Sequence, residues 1–160
     1  MIVAWRIVRT EYAAAAFSGE GAAQFGGRWN LRNTSVVYLS SSLALGILES
    51  FIHIAGPPVG VAHVSLRVEI PEEIIEDLPR ARIPGDWREY PPPRSTQELG
   101  TDWVKSGSSA VLRVPSVLVP EEKNYILNPA HGDFASVSIS EPRPLEFDRR
   151  LWHPGRSESR

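Results

Sequence analysis

Three side chains between Gly26 and His53 could do chemistry together. Arg28 follows two glycines, Tyr38 lies in an apolar run further along, and Glu49 lies in the segment after that run. A guanidinium forks onto phosphate oxygens, a tyrosine ring offers a flat face to a planar heterocycle, and a carboxylate can stabilise a sugar carbon that becomes oxocarbenium-like. The set therefore suits a substrate that combines phosphates, a sugar and an aromatic ring.

The presence of one acid, Glu49, limits the kind of glycosidic bond that could be broken. Ordinary glycosides need a second carboxyl group to protonate the leaving oxygen. A nicotinamide group is already cationic and leaves as a neutral molecule, so one glutamate is enough. A lone glutamate on a helix most often points to water, but the nearby Arg28 and Tyr38 favour a functional role. The residues fit NAD+ better than a neutral sugar.

The elements around Arg28 and Tyr38 are predicted to form a hairpin. Glycines 26 and 27 let the backbone bend, and Asn33 is a turn residue that tolerates positive φ. The run from 36 to 39 is rich in β-branched and aromatic residues and is typical of a strand. This arrangement would place Arg28 on the first arm and Tyr38 on the second.

A helix carrying Glu49 is predicted next. Ser40, Ser41 or Ser42 can cap its start, and the 56–58 segment, Gly-Pro-Pro, ends the element. The spacing predicts an inward face made of Ala44, Ile47, Leu48, Phe51 and Ala55.

The rest of the chain alternates irregularly between predicted strands and short helices. Strands are predicted at 2–8, 61–70, 110–114, 124–128 and around 137–139, and helices at 10–17 and 96–106. Residues 18–27 are expected to form a small-residue loop, and residues 79–95 an irregular segment held by Trp87 and Tyr90. Because strands and helices do not strictly alternate, the pattern predicts an α+β fold.

The composition indicates one globular domain. The chain has 160 residues, no cysteine and a formal charge of −2, which gives no sign of a nucleic-acid or membrane surface. The N-terminus carries Arg6 where a signal peptide needs an apolar stretch, so we expect a soluble cytoplasmic protein. Residues 1–152 are expected to form the domain, with 153–160 as a frayed polar tail.

Other candidate sites are weaker. Glu49 and His53 are one helical turn apart, but the remaining histidines are scattered and no zinc-protease spacing occurs, so no metal site is predicted. Gln24 stands where a dinucleotide fingerprint needs its third glycine. From the residues alone, Ser116 satisfies the end of a strand, and Arg6 is a surface or ion-paired arginine.

Several motifs taken together resemble the RES domain, a family named for an arginine, a glutamate and a serine. They are the 27–30 segment Gly-Arg-Trp-Asn, Tyr38, Glu49, the 114–116 segment Val-Pro-Ser and the 124–131 segment Asn-Tyr-Ile-Leu-Asn-Pro-Ala-His. The resemblance runs from about Trp5 to the 147–151 segment. It implies an ADP-ribosyltransferase-like fold, with a split β-sheet core and short helices around an NAD cleft.

The resemblance also implies roles for five residues. The family's arginine, glutamate and serine fall on Arg28, Glu49 and Ser116, and the tyrosine falls on Tyr38. Arg6 is similar to an additional N-terminal arginine near the NAD site. Glu49, Arg28 and Ser116 are thus expected to be catalytic, while Arg6, Arg28 and Tyr38 bind NAD+ as substrate, with no cofactor.

RES proteins are toxins of bacterial toxin–antitoxin pairs, so the resemblance implies a growth-arresting toxin that degrades NAD+ by hydrolysis or phosphorolysis of the nicotinamide–ribose bond. It also implies a helix-turn-helix antitoxin that covers the active site, and a homodimer within a larger complex. Two alternatives stay open: a mono-ADP-ribosyltransferase that modifies a protein, and a catalytically silent scaffold that only binds the helix-turn-helix partner.

Overall fold

The computed structural model describes residues 1–153, which form an eight-stranded sheet with three α-helices. The strands are Ile2–Arg9 (β1), Val37–Ser40 (β2), His63–Ile70 (β3), Ile75–Asp77 (β4), Val111–Pro115 (β5), Lys123–Leu127 (β6), Ser138–Ile139 (β7) and Arg143–Leu145 (β8). The helices are Glu20–Phe25 (α1), Leu43–Phe51 (α2) and Arg94–Ser106 (α3), and short 3₁₀ turns connect several elements. The predicted α+β class is confirmed.

The sheet is split near its middle, as predicted. The strand order is β4-β5-β6-β2-β1-β3-β7, with β8 also paired to β3; all pairs are antiparallel except β4 and β5. β1 pairs with β3 over its whole length, and β2 pairs with β6 over its whole length, but β1 and β2 pair only at Trp5 and Ser40. The sheet therefore consists of two arms joined at a narrow seam.

Two apolar layers hold this sheet. One includes Val37, Leu39, Val111 and Leu127; the other includes Trp29, Val36, Trp103, Leu112, Val114 and Ile126. Successive side chains of a strand point to opposite faces, so β5 and β6 contribute to both layers. This double burial explains why adjacent residues in these strands, such as Val111 and Leu112 or Ile126 and Leu127, are all apolar.

The predicted hairpin is wrong. Arg28 lies in a tight turn in which Gly27 and Asn30 form an isolated bridge, and β2 pairs with β6 and β1 instead of with a local arm. β2 lies between two apolar strands, β1 and β6, that are distant from it in sequence. Pairing with a local arm of glycine and polar residues would bury less apolar surface. Asn33 does adopt the predicted positive φ, at 69°.

Two other local predictions are also wrong. The expected loop at 18–27 contains α1, because its alanines favour helix and Gly19, at φ 76°, turns the chain into it. In α2 the buried residues are Leu45 and Gly46, whereas Leu48 is 37% exposed. Ser42 is the helix cap, as predicted, but the inward face is shifted from the predicted stripe, because packing against β1 and β2 orients the helix.

The segment from 79 to 95 is fixed by only one of its two predicted anchors. Trp87 packs against the apolar layer around Trp29, whereas Tyr90 is 84% exposed.

None of the helices in residues 1–153 combines the length and the apolar character needed to traverse a bilayer. The predicted tail lies, except for His153, outside the described residues.

Candidate active site

Glu49 lies in the last turn of α2 and is held by groups from β6 and from the end of β5. Its Oε1 atom accepts a hydrogen bond from Ser116 Oγ at 2.9 Å and another from Asn124 Nδ2 at 2.8 Å. Both donors stand at the adjoining ends of β5 and β6, and the Glu49 side chain is partly buried. The position of this carboxylate is therefore set by contacts distant in sequence.

Ser116 directs its hydroxyl proton at Glu49. The residue is completely buried, and its Oγ atom accepts the backbone N–H groups of Leu118 at 3.2 Å and Val119 at 3.1 Å. A serine oxygen has two acceptor lone pairs and one proton, so the proton remains for the carboxylate. The chain turns after Ser116, and this turn supplies the two N–H donors.

Arg28 extends from the turn at 27–30 toward the 84–92 segment. Its Nη1 atom donates to the carbonyl oxygens of Trp87 and Glu89, both at 2.8 Å. Burial lowers the pKa of Arg28, and the charges of Glu49 and Tyr38 act in the opposite direction. Arg28 is thus within electrostatic range of Glu49, although it takes part in no salt bridge within residues 1–153.

Tyr38 anchors the turn that carries Arg28. Its hydroxyl donates to Asn30 Oδ1 at 2.6 Å and accepts the backbone N–H of Trp29 at 3.0 Å. Burial raises the pKa of Tyr38 well above its usual range. A Cβ atom on Gly27 would lie 2.6 Å from this hydroxyl, so only glycine permits the close approach. Tyr38 and Arg28 are neighbours through this contact, and not as hairpin arms.

Arg6 lies at the seam between the two arms of the sheet. Its Nε atom donates to Ala16 O at 2.7 Å and its Nη1 atom to Tyr38 O at 3.0 Å. Burial lowers the pKa of Arg6 to about 10, and no carboxylate of the described chain forms a salt bridge with it. A buried cation without a counter-ion is costly, so a bound anion would be stabilised here.

The structure thus brings the predicted residues together to different degrees. Glu49 and Ser116 are in contact, Arg28 is electrostatically coupled to Glu49, and Arg6 reaches the backbone of Tyr38. His53 lies beyond the end of α2 and is exposed, and no group of three His, Asp or Glu side chains in residues 1–153 could hold a metal ion.

Asn124 is a site residue that the sequence analysis missed. It belongs to the 124–131 segment, but no role was assigned to it. The available signal was its position on β6, where it alternates onto the same face as the buried Ile126. A polar residue on an apolar face has to find a partner, and that partner is Glu49.

A cavity of about 670 Å³ opens at the edge of the sheet formed by β4 and β5, where Asp77 and Arg113 are among its lining residues. Its walls include Trp87, Pro115 and Lys123, the first of which holds Arg28 while the other two precede Ser116 and Asn124 in the chain. Glu49 and Arg28 themselves are not in these walls.

The chain has relatives among bacterial toxins. It is 39% identical over 148 residues to "Toxin Res" of Yersinia enterocolitica, an alignment that covers 92% of this chain and 97% of the relative. It is 36% identical over 153 residues to the "Prs ADP-ribosylating toxin" of a Sphingobium species, with 92% of this chain and 94% of the relative covered.

The fold is similar to that of a chain in the crystal structure of the M. tuberculosis MbcT–MbcA toxin–antitoxin complex. The TM-score is 0.76 at 18% sequence identity, over 96% of this chain and 87% of that chain. Residues 3–148 match the RES domain family. That match spans nearly all of the described chain, so the protein belongs to the RES domain family, whose relatives named above are toxins.

Proposed function

We propose that this protein is a toxin that consumes NAD+ by breaking the bond between nicotinamide and ribose. The observation that carries the proposal is the single carboxylate of Glu49, which Ser116 and Asn124 hold through one oxygen while Arg28 lies within electrostatic range. The other oxygen, Oε2, receives no hydrogen bond within residues 1–153. It is the oxygen available to a substrate.

The reaction would use the remaining residues to bind and orient the dinucleotide. Arg28 and Arg6 bind the diphosphate, and Tyr38 packs its ring against nicotinamide; both Arg6 and Tyr38 are half-buried. As the C–N bond breaks, its electron pair leaves with nicotinamide, which departs neutral and needs no acid. Glu49 stabilises the positive charge left on the ribose. Water or phosphate then forms the new bond to that carbon, and in hydrolysis the water proton is released.

A second candidate is transfer of ADP-ribose to a protein. The identity of 36% with a relative named as an ADP-ribosylating toxin favours it. The same bond would break at the same carboxylate, but a protein side chain would replace water as the acceptor. The two reactions therefore differ only in the group that attacks the ribose.

We also propose that a helix-turn-helix antitoxin covers this site in the cytoplasm, and that the toxin joins the complex as a homodimer. The support is the similarity in fold to a chain from a toxin–antitoxin complex. Leu48 and Ile52, 37% and 51% exposed, lie on and just after the helix that carries Glu49 and offer apolar surface to such a partner.

Incubating the purified chain with NAD+ labelled in its adenosine tests the proposal. Free ADP-ribose or its phosphorylated form would support NAD+ degradation, and label on protein would support the transferase. Glu49→Gln should lower the rate by on the order of 10²–10³. Glu141→Gln, at an exposed position, is the matched control. Undiminished turnover by Glu49→Gln would refute the role of this carboxylate.

Expression of the chain without a partner separates a toxin from a silent scaffold. An active enzyme should deplete cellular NAD+ and arrest growth, whereas the Glu49→Gln variant should not. Growth arrest with intact NAD+ would exclude NAD+ degradation as its cause.

A further inference from the structure

The Asn124 side chain uses only one of its two polar ends. Its Nδ2 atom donates to Glu49 at 2.8 Å, whereas its Oδ1 atom is buried and accepts no hydrogen bond within residues 1–153. A buried carbonyl oxygen without a donor is destabilising. A leucine at this β6 position would fill a similar volume without an unpaired oxygen. The fold therefore gains nothing evident from the amide except its contact with Glu49.

The two donors on Glu49 act on one oxygen from neighbouring strands. Ser116 follows the last residue of β5, and Asn124 pairs with Val114 one step inside β6. Because both bonds end on Oε1, rotation of the carboxylate is restrained and Oε2 is directed away from the pair.

We propose that Asn124 is a positioning residue for catalysis: together with Ser116 it saturates Glu49 Oε1, which reserves Oε2 for the ribose of the substrate. This inference rests on the proposed cleavage of NAD+. It adds a sixth functional side chain to the five that the resemblance to the RES domain implies. Asn124 acts through Glu49 and need not touch the substrate.

The first test is a double-mutant cycle on NAD+ consumption. Asn124→Leu should lower kcat about 10–100-fold through the lost charge-assisted hydrogen bond, with KM for NAD+ changed less than about threefold. In the Glu49→Gln background, Asn124→Leu should lower kcat by less than about twofold. Lys123→Leu, on the opposite face of β6, should leave kcat unchanged.

The thermal midpoint distinguishes positioning from support of the fold. Asn124→Leu also removes the unpaired oxygen, so its melting temperature should equal or exceed that of the wild type. A lowered melting temperature with an equal loss of kcat in both backgrounds would overturn the inference, as would a change confined to KM.

Nuclear magnetic resonance tests the contact without relying on turnover. In ¹⁵N-labelled protein, the side-chain amide protons of Asn124 should be protected from exchange, and Glu49→Gln should shift their resonances. Unshifted resonances would overturn the inference whether or not NAD+ is consumed. If Glu49→Gln shifts these resonances but the wild-type protein does not consume NAD+, the contact is real and the proposed function is refuted.

Discussion

At the scale of single residues, the site depends on hydrogen bonds whose direction is fixed. Ser116 can give its proton only to Glu49, because Leu118 and Val119 occupy its lone pairs. Tyr38 is similarly constrained, since Trp29 donates to its hydroxyl and Asn30 accepts the proton. These groups act as positioned donors and need no change of protonation at neutral pH.

The Tyr38 hydroxyl should stabilise the fold at neutral pH and lose this effect at alkaline pH. Tyr38→Phe leaves Asn30 Oδ1 and the Trp29 N–H without their partner, which should cost about 1–3 kcal/mol near pH 7. Burial raises the pKa of Tyr38 in the folded chain, whereas the pKa of an unfolded tyrosine is about 10. The folded chain binds the proton more tightly, so this stabilisation is complete below about pH 10 and is lost as the pH rises further.

Urea unfolding of both proteins between pH 7 and 11 measures this dependence. The difference in unfolding free energy between wild type and Tyr38→Phe should be constant up to about pH 10 and then shrink. A difference that stays constant throughout would mean that the fold does not raise the pKa of this hydroxyl.

At the scale of elements, α3 supports the turn that presents Arg28. Gln97 donates to the carbonyl of Gly27 at 3.0 Å, and Thr101 accepts the N–H of Leu31 at 2.9 Å. Gly100 lies between them, and a Cβ atom there would be 1.8 Å from the carbonyl oxygen of Trp29. The helix can approach the turn this closely only because position 100 has no side chain.

Gly100→Ala should therefore separate α3 from the turn. We expect a loss of about 1–3 kcal/mol in unfolding free energy from overpacking, together with a lower rate of NAD+ consumption in the fraction that still folds. Gly21→Ala, in α1, is the matched control, because no atom lies within 4 Å of the added Cβ. The control should be neutral or stabilised by up to about 1 kcal/mol.

Thermal unfolding of the two variants decides between these expectations. If both alanine variants melt at the same temperature, the contact of α3 with Trp29 does not constrain the turn.

At the scale of the whole molecule, the end of the described chain packs on the helix that carries Glu49. The Trp152 ring meets Phe51 edge-on at a centroid distance of 5.3 Å and Phe147 at 5.9 Å, and Phe147 meets His63 at 5.0 Å. Phe51 is the last residue of α2. This aromatic cluster links the C-terminal segment to α2 and β3.

Trp152→Ala should lower the unfolding free energy by up to about 3 kcal/mol, because truncating a packed aromatic ring leaves a cavity. Trp152→Phe should cost much less, since the indole Nε1 is buried and has no hydrogen-bond partner in residues 1–153. Urea unfolding midpoints provide the comparison. If Trp152→Phe and Trp152→Ala lower the unfolding free energy equally, the stabilisation comes from the indole and not from aromatic packing.

Much of the local structure was predictable from the sequence because it depends on neighbouring residues. The strand around Tyr38, the Ser42 cap and the positive φ of Asn33 follow from β-branching, a side-chain acceptor and a tolerant turn residue. The α1 helix was missed because small residues were interpreted as loop, although alanine is a strong helix former. The inward face of α2 was missed because packing against β1 and β2 sets it.

The sequence by itself determined the chemical types at the site: one carboxylate, two arginines, a tyrosine and a serine in the order that marks the RES domain. Only the tertiary structure decided how they meet. It joined Glu49 to Ser116 and Asn124 across 67 and 75 positions of chain, and it brought Arg6 to the backbone of Tyr38 at the seam of the sheet. Strand pairing and helix orientation depend on apolar surface buried between distant segments, and spacing along a single chain does not encode that directly.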